Sequence, residues 1–303
     1  MISRRKILQG LGAFLAGGAG LGGYALGIEP RRLAVTRYQI SPDGWPKGLD
    51  LKLAVFADLH AGEPWMDVAR VESLVAATNA LGADAILLLG DYTSSHRMVL
   101  RPVPDVEWAR ALAGLKAPLG VHAVLGNHDW WNDREAQLRM SGPPKCRRAM
   151  EQAGIKVYEN EVLRLEKNGQ PFWIAGLGDQ WAFYRNRDRR RRDRFGYRGV
   201  DNLPVTLDKV RDDAPVILMA HEPDIFPTVP PRVALTLSGH THGGQVQFFG
   251  YAPIVPSQFG RRYLYGHIVE DSRHLIVSGG LGCSGLPIRF GRPPEIVLVE
   301  VGA

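Results

Sequence analysis

Five short clusters bring oxygen and nitrogen donors together with small or turn-forming neighbours: Asp58-Leu59-His60, Gly90-Asp91, Gly126-Asn127-His128-Asp129, Ala220-His221-Glu222-Pro223 and Gly239-His240-Thr241-His242-Gly243-Gly244. Carboxylate, amide and imidazole donors without cysteine suit Mn2+, Zn2+ or Fe rather than a metal selected by soft thiolates. Asp58 and His60 are two residues apart, so on an extended strand end they point to one side, and His240 and His242 repeat that spacing. The flanking glycines let backbone pass close to a site because they carry no Cβ. A pair of cations needs a shared ligand. A carboxylate bridges readily and an imidazole rarely does, which makes Asp91 the candidate bridge. Each cluster taken alone has a plainer reading: D-x-H is common, G-D after a strand is usually a turn, and a buried histidine is more often a hydrogen-bonded core residue. The signal lies in the ordered set.

Each cluster closes an apolar run: residues 51–57, 85–89, 120–125, 216–220 and 233–238. Ligands of open α/β sheets bind beyond the carboxyl ends of strands, so five strand-end loops can converge on one crevice. Further strands are predicted at 162–165, 172–175, 245–249, 274–278 and 296–301, and the alternating stretch 33–40 reads as an edge strand. Helical spacing covers 68–81, 107–115 and 134–153, the last interrupted by Pro143-Pro144. The first half alternates strand and helix and the second half is mostly strand. The expected fold class is α/β, a layered β-sandwich flanked by helices. No linker divides residues 29–303, which are read as a single domain with its metal-binding motifs between 58 and 242.

Residues 1–28 stand apart. Arg4-Arg5-Lys6 is followed by an uncharged stretch from Ile7 to Ile28, rich in Gly, Ala and Leu. Basic residues before an apolar segment form the layout of an export signal, and the paired arginines resemble a twin-arginine signal read by that export machinery. The stretch is also long enough to cross a hydrocarbon core of ~30 Å as an uncleaved anchor helix. Either outcome puts the chain outside the cytoplasm, in the periplasm or on the outer face of the cytoplasmic membrane.

The whole chain has 303 residues, 45% hydrophobic and 22% charged, which excludes a disordered, collagen-like or polytopic membrane protein. Its net charge of +6 is concentrated. Arg4, Arg5 and Lys6 carry +3, and the run RNRDRRRRDR from Arg185 to Arg194 carries +5, so the remainder is slightly acidic. Nucleic acid is not an expected partner, because a binder spreads basic charge over a docking face. The arginine run reads equally as a contact for an anionic membrane surface or substrate phosphates and as a solvated loop. Trp181, Phe183, Tyr184, Phe195 and Tyr197 flank it as an interfacial lid or as packing. Trp130 and Trp131 are read either at the mouth of the site or in the core, and Asp179 as a turn residue or a pocket border. His96, His122, His267 and His274 fall outside the clusters and are read as structural. With two cysteines, Cys146 and Cys283, a disulfide framework is excluded; the pair could join in one disulfide outside the cytoplasm, but free thiols are the default expectation.

The ordered blocks D-x-H, G-D, G-N-H-[DE], a lone H and G-H-x-H resemble the calcineurin-like metallophosphoesterases, from about Leu51 to Ser278. Within that family, Ala220–Pro223 (A-H-E-P), Gly239–Gln245 (G-H-T-H-G-G-Q) and Gly285–Arg289 (G-L-P-I-R) resemble the bacterial phosphodiesterase subgroup that carries twin-arginine signals, itself similar to UDP-2,3-diacylglucosamine hydrolases. The resemblance implies two divalent metal ions per chain. Asp58, His60, Asp91 and His242 would hold one, and Asp91, Asn127, His221 and His240 the other. His128 would be the catalytic histidine near the leaving group, bound to neither ion. The implied reaction is hydrolysis of a phosphodiester or pyrophosphate bond, with in-line attack by a metal-bridging hydroxide. A lipid-linked or nucleotide-sugar-like substrate fits the anchor and the arginine run. The alternatives are a phosphomonoesterase and a metal-dependent binding protein without turnover. One departure stands out: many members continue G-D with x-x-D-R, whereas Asp91 here is followed by Tyr92-Thr93-Ser94-Ser95.

Overall fold

Apolar runs that alternate between two buried faces build two six-stranded sheets. The structure is a computed structural model describing residues 4–94, 98–184 and 196–302. The first sheet has the order Ala34–Ile40, Glu295–Val301, Leu51–Phe56, Ala85–Leu88, Val121–Ala123 and Lys156–Val157. The second has the order Gly266–Glu270, Arg273–Val277, Val233–Ser238, Val216–Met219, Gln170–Gly176 and Glu161–Lys167. Leu53, Val55, Leu87, Val297 and Val299 from the first sheet meet Ile174, Ile217, Met219, Leu235 and Ile276 from the second, in a core between the sheets. The intervening residues Ala54, Phe56, Ile86, Leu88 and Leu298 face outward and pack under helices Val68–Asn79, Asp105–Leu112 and Lys145–Gln152. On the far side, Val216, Leu218, Leu275 and Val277 pack against Phe226, Val229 and Tyr263. Both faces of each sheet are therefore covered, which is why the central strands read as continuous apolar runs.

Within each sheet, the strands that lead into the clusters run parallel, with Gln170–Gly176 as a further parallel neighbour. Leu51–Phe56, Ala85–Leu88 and Val121–Ala123 run parallel in the first sheet, and Gln170–Gly176, Val216–Met219 and Val233–Ser238 in the second. Parallel pairing needs crossovers, and the intervening helices supply them. Asp67 starts the first by accepting the Arg70 backbone N–H at 2.7 Å. Pro143-Pro144 divides the expected 134–153 helix into Arg134–Arg139 and Lys145–Gln152. The predicted strand at 33–40 lies at the edge of its sheet, as Ala34–Ile40.

The strand expected at 245–249 does not form. Gln245 and Phe249 both take left-handed backbone (φ 52° and 49°), and the segment keeps only isolated bridges, Val246 to Phe290 and Phe248 to Tyr251. Apolar alternation there marks a folded-back loop. Strand Gly266–Glu270 was not anticipated; it pairs antiparallel with Arg273–Val277 through a turn at Asp271-Ser272.

Candidate metal centre

All five clusters lie beyond the carboxyl ends of parallel strands, and the two sheets bring them together. Asp58, His60 and His242 form one group of potential ligand atoms, and Asp91, His221 and His240 a second, all six side chains buried. Asp91 joins them: its Oδ2 lies 3.6 Å from His60 Nε2 and 3.3 Å from His221 Nε2. Asn127 Oδ1 is 2.9 Å from His240 Nδ1, which is itself 3.3 Å from His221 Nε2. The seven expected ligands thus surround a common centre.

Backbone carbonyls set the faces of two histidines. His60 Nδ1 lies 3.0 Å from the Thr93 carbonyl and His221 Nδ1 lies 2.7 Å from that of Leu89. A carbonyl can only accept, so each Nδ1 carries a proton, and the neutral His60 ring turns its Nε2 lone pair inward. His60 Nε2 then meets His242 Nε2 at 3.0 Å, and Asp58 Oδ1 is 3.6 Å from His242 Nε2. Without a cation, His242, whose Nδ1 faces the donor Arg289, satisfies His60 only by placing its own proton on Nε2, while the Asp58 and Asp91 carboxylates stay buried beside them. Burial holds the His60 and His240 imidazoles down at about 3, and pushes His242 well below the usual range with help from His60 and Arg289. Neutral imidazole is the ligand form. His221 goes the other way: burial opposes its charge, but Asp91, Glu222 and Asp58 raise it well above the usual value. That excess of buried carboxylate charge is what bound dications would balance. The donor chemistry, the inward ring nitrogens and the charge all fit a pair of divalent ions.

The backbone carries a cost at these positions. Asp58, His60, Asp91, His240 and His242 all take left-handed φ, between 47° and 68°. Non-glycine residues there cost roughly 1–3 kcal/mol each and cluster at functional sites. Gly126 and Gly239 are required by close approach: a Cβ at Gly126 would strike the Asp91 carboxylate, and one at Gly239 the Asp58 carboxylate.

Several supporting residues were named in the sequence without a role. Asp129 accepts N–H groups from Asp91 and Tyr92 at 2.9 Å, Thr93 at 3.2 Å and Gly126 at 2.9 Å, locking two ligand loops together. Thr93 lies two residues after Asp91; its hydroxyl donates to the His128 carbonyl at 2.9 Å and its own carbonyl orients His60. Arg289 is fully buried, donates to the Gly279 and Gly282 carbonyls, and sits 3.3 Å from His242 Nδ1. Asp179 and Glu222 are buried together behind His221; burial pushes both up, with the Glu222 charge adding to the rise at Asp179 and the Asp91 charge to that at Glu222. A long-range buried partner leaves no local spacing by which a sequence could reveal it.

His128 is half-buried, with its ring edge-on to His60 at 5.2 Å and to Trp131 at 4.8 Å, and its backbone N–H donates to Asp91 Oδ1 at 2.8 Å. A cavity of about 470 Å³ opens over it, floored by Asp91, Asn127, His128, His240 and His242. Trp131, Tyr197 and Trp181 stack in series along one wall, with centroids 4.9 Å apart, and Trp181 abuts His240. Pro253, Ile254, Leu286 and Ile288 also line the cavity. Of the tryptophan pair, Trp130 is core and Trp131 is wall. Phe183–Tyr184 pairs antiparallel with Tyr197–Arg198, on either side of the segment that bears the arginine run. Arg185 to Arg194, Phe195 and His96 lie outside the described residues. His122 is structural, bonded to Tyr158 and the Leu119 carbonyl, and His267 pairs with His274. Cys146 and Cys283 are free and buried.

A model of calcineurin-like phosphoesterases matches residues 51–244. The chain is 32% identical to an uncharacterized metallophosphoesterase, YkuE, of Bacillus subtilis (strain 168), over 98% of this chain and 96% of that protein. It is 27% identical to the phosphodiesterase YaeI of Escherichia coli (strain K12), over 99% of this chain and 100% of that one. A transmembrane protein with metallophosphoesterase domain from Danio rerio is 27% identical over 86% of this chain and 56% of its own length.

Proposed function

Because the chain belongs to the calcineurin-like phosphoesterase family, whose members are metal-dependent phosphoester hydrolases using two divalent ions, we propose that it cleaves phosphodiester or pyrophosphate bonds. Asp58, His60, Asp91 and His242 hold one ion in this reading, and Asp91, Asn127, His221 and His240 the other. The observation that carries it is the Asp91 carboxylate, whose single oxygen faces a histidine from each group. When bound, the ions supply Lewis acidity, lowering the pKa of water and neutralising phosphoryl charge.

The chain's own residues do the rest. His128 reaches the cavity without joining either group, and its backbone is pinned to Asp91. Burial, partly offset by Asp91, holds its imidazole below the usual value. Near neutral pH it therefore acts as a neutral N–H donor, stabilising the leaving oxygen as negative charge develops there. Asp129 and Thr93 keep the Asp91 and His128 loops in register. The aromatic wall excludes water and offers flat surfaces to an apolar or ring-bearing leaving group.

A lipid-linked or nucleotide-sugar-like substrate is the finer reading, supported by the apolar cavity beside the phosphoester site and by the N-terminal helix. The name of the YaeI relative supports the diester preference. Export through a twin-arginine-like signal, with the catalytic domain on the outer face of the cytoplasmic membrane, is read from Arg4-Arg5 ahead of the apolar helix. Hydrolysis of bis-p-nitrophenyl phosphate with added Mn2+ tests the reaction, with p-nitrophenyl phosphate alongside. Faster turnover of the diester is expected. Turnover of the monoester alone would replace this reading with the phosphomonoesterase, and turnover of neither with the binding protein.

A further inference from the structure

The apolar N-terminal helix and the mouth of the cavity meet at one place. Residues Arg4–Arg31 form a helical stretch long and apolar enough to cross a membrane, and its apolar window is not buried against the rest of the protein. Leu8, Leu15 and Leu21 stand exposed on it. Its last turns are firmly docked. The Ala25 carbonyl accepts from the Arg289 N–H at 2.9 Å, the Leu26 carbonyl from Trp65 Nε1 at 2.9 Å, and Glu29 Oε1 from the Arg292 N–H at 2.7 Å. Tyr24 meets Phe290 edge-on at 6.2 Å, and Phe290 packs on Phe248 at 5.1 Å.

Phe248 begins a loop, 248–254, of sequence FFGYAPI with no acidic residue. Phe249 is fully exposed, Ile254 is 77% exposed, and Phe248 and Tyr251 are about half exposed. Leu286, more than half exposed, is tied to the neighbouring Gln245, whose side chain donates to its carbonyl at 2.9 Å. Ile254 and Leu286 also line the cavity. Arg261 stacks over Tyr251 at 5.2 Å and donates to the Gly250 carbonyl, while Arg31 and Arg32 are exposed at the foot of the helix. Exposed aromatics beside arginines make the composition of a membrane–water interface, where ring and aliphatic stem enter apolar surroundings and the charge stays with the headgroups.

We propose that loop 248–254 together with Leu286 is a membrane-docking face, seated in the headgroup layer of an anionic phospholipid bilayer that the N-terminal helix enters. The helix fixes the height of the domain, and the Tyr24–Phe290–Phe248 contact places the loop at the level where the helix leaves the lipid. The cavity then opens onto the bilayer surface, and its substrate arrives from the membrane rather than from bulk solution. The docking rests on the helix being a membrane span and not on the hydrolytic reading, so each can fail alone.

The test uses the full chain reconstituted into vesicles of phosphatidylethanolamine and the anionic lipid phosphatidylglycerol. An environment-sensitive fluorophore is attached through Phe249→Cys or Leu286→Cys, and through Asp213→Cys at the opposite, amino-terminal ends of the strands. The native thiols are buried, which directs labelling to the introduced residue. Docking predicts blue-shifted emission at 249 and 286, at least about twofold quenching there by headgroup-level nitroxide lipid, and neither effect at 213. A label at 249 that behaves like the label at 213 overturns the proposal, as does a full chain that fails to float with the vesicles.

Discussion

The space between the sheets and the rim where their strands end are built from the same strands under opposite demands. Between the sheets, Leu53, Val55, Leu87, Ile217 and Leu237 are buried apolar side chains at regular strand positions, satisfied by contact alone. A few residues later the same strands deliver Asp58, Asp91, His221 and His240, buried, ionisable and in three of the four cases in left-handed backbone. The interior supplies stability by removing apolar surface from water. The rim consumes part of it, in strain and in buried charge that only a bound cation relieves. Function sits where the chain leaves its easiest conformation, and the strands hold it there.

Substitutions on either side should separate these roles. The largest effect belongs to His128→Ala, expected to cut turnover about 10²–10³-fold while metal content stays at the parental level. Equal loss of metal would make His128 a ligand instead. In the interior, Leu87→Ala should destabilise the fold by about 2–5 kcal/mol in denaturant titrations. Its activity per folded molecule should remain parental, and lost metal in the folded fraction would mean that the two regions are not separable. Asp129→Asn weakens the clamp on both ligand loops and is expected to reduce metal affinity about 10–100-fold, measured by chelator competition. Asp58→Asn should raise the melting temperature of metal-free protein at pH 8 while lowering metal affinity, because burial pushes the Asp58 carboxyl up and its charge is costly without a cation. A lower melting temperature would show that the carboxylate is stabilising by itself.

The smallest effect comes from His122, which is outside the centre. Burial holds its imidazole below the usual value, so the unfolded chain binds a proton more readily than the folded one as pH falls below ~6.5. Its contribution to stability is lost on acidification and is complete above that pH. The metal-free His122→Gln variant should therefore lose less stability between pH 7 and pH 5 than the parent. A steeper loss would reverse the sign.

Much of the rim could be read before the structure because its residues are local punctuation: a donor and a glycine directly after an apolar run. The strands gave the same kind of signal, since both faces of the sheets are covered and Leu51–Phe56 or Val216–Met219 are apolar throughout. What could not be read was long-range. Asp129 meets the Asp91 loop across 38 positions, and Arg289 meets His242 across 47, with no periodicity linking either pair. The left-handed backbone at Asp58 and His240 is imposed by the site rather than by residue preference. Residues 245–249 misled for a related reason, because apolar alternation without a partner strand is equally the pattern of an exposed loop.

Metal analysis of the parent and the Asp91→Ala protein, purified side by side, addresses the shared carboxylate most directly. Two equivalents of divalent metal per parental chain and almost none in the variant are expected, because one oxygen faces both groups. Retention of one or two equivalents by the variant would contradict a common bridge and with it the paired-ion account of the centre.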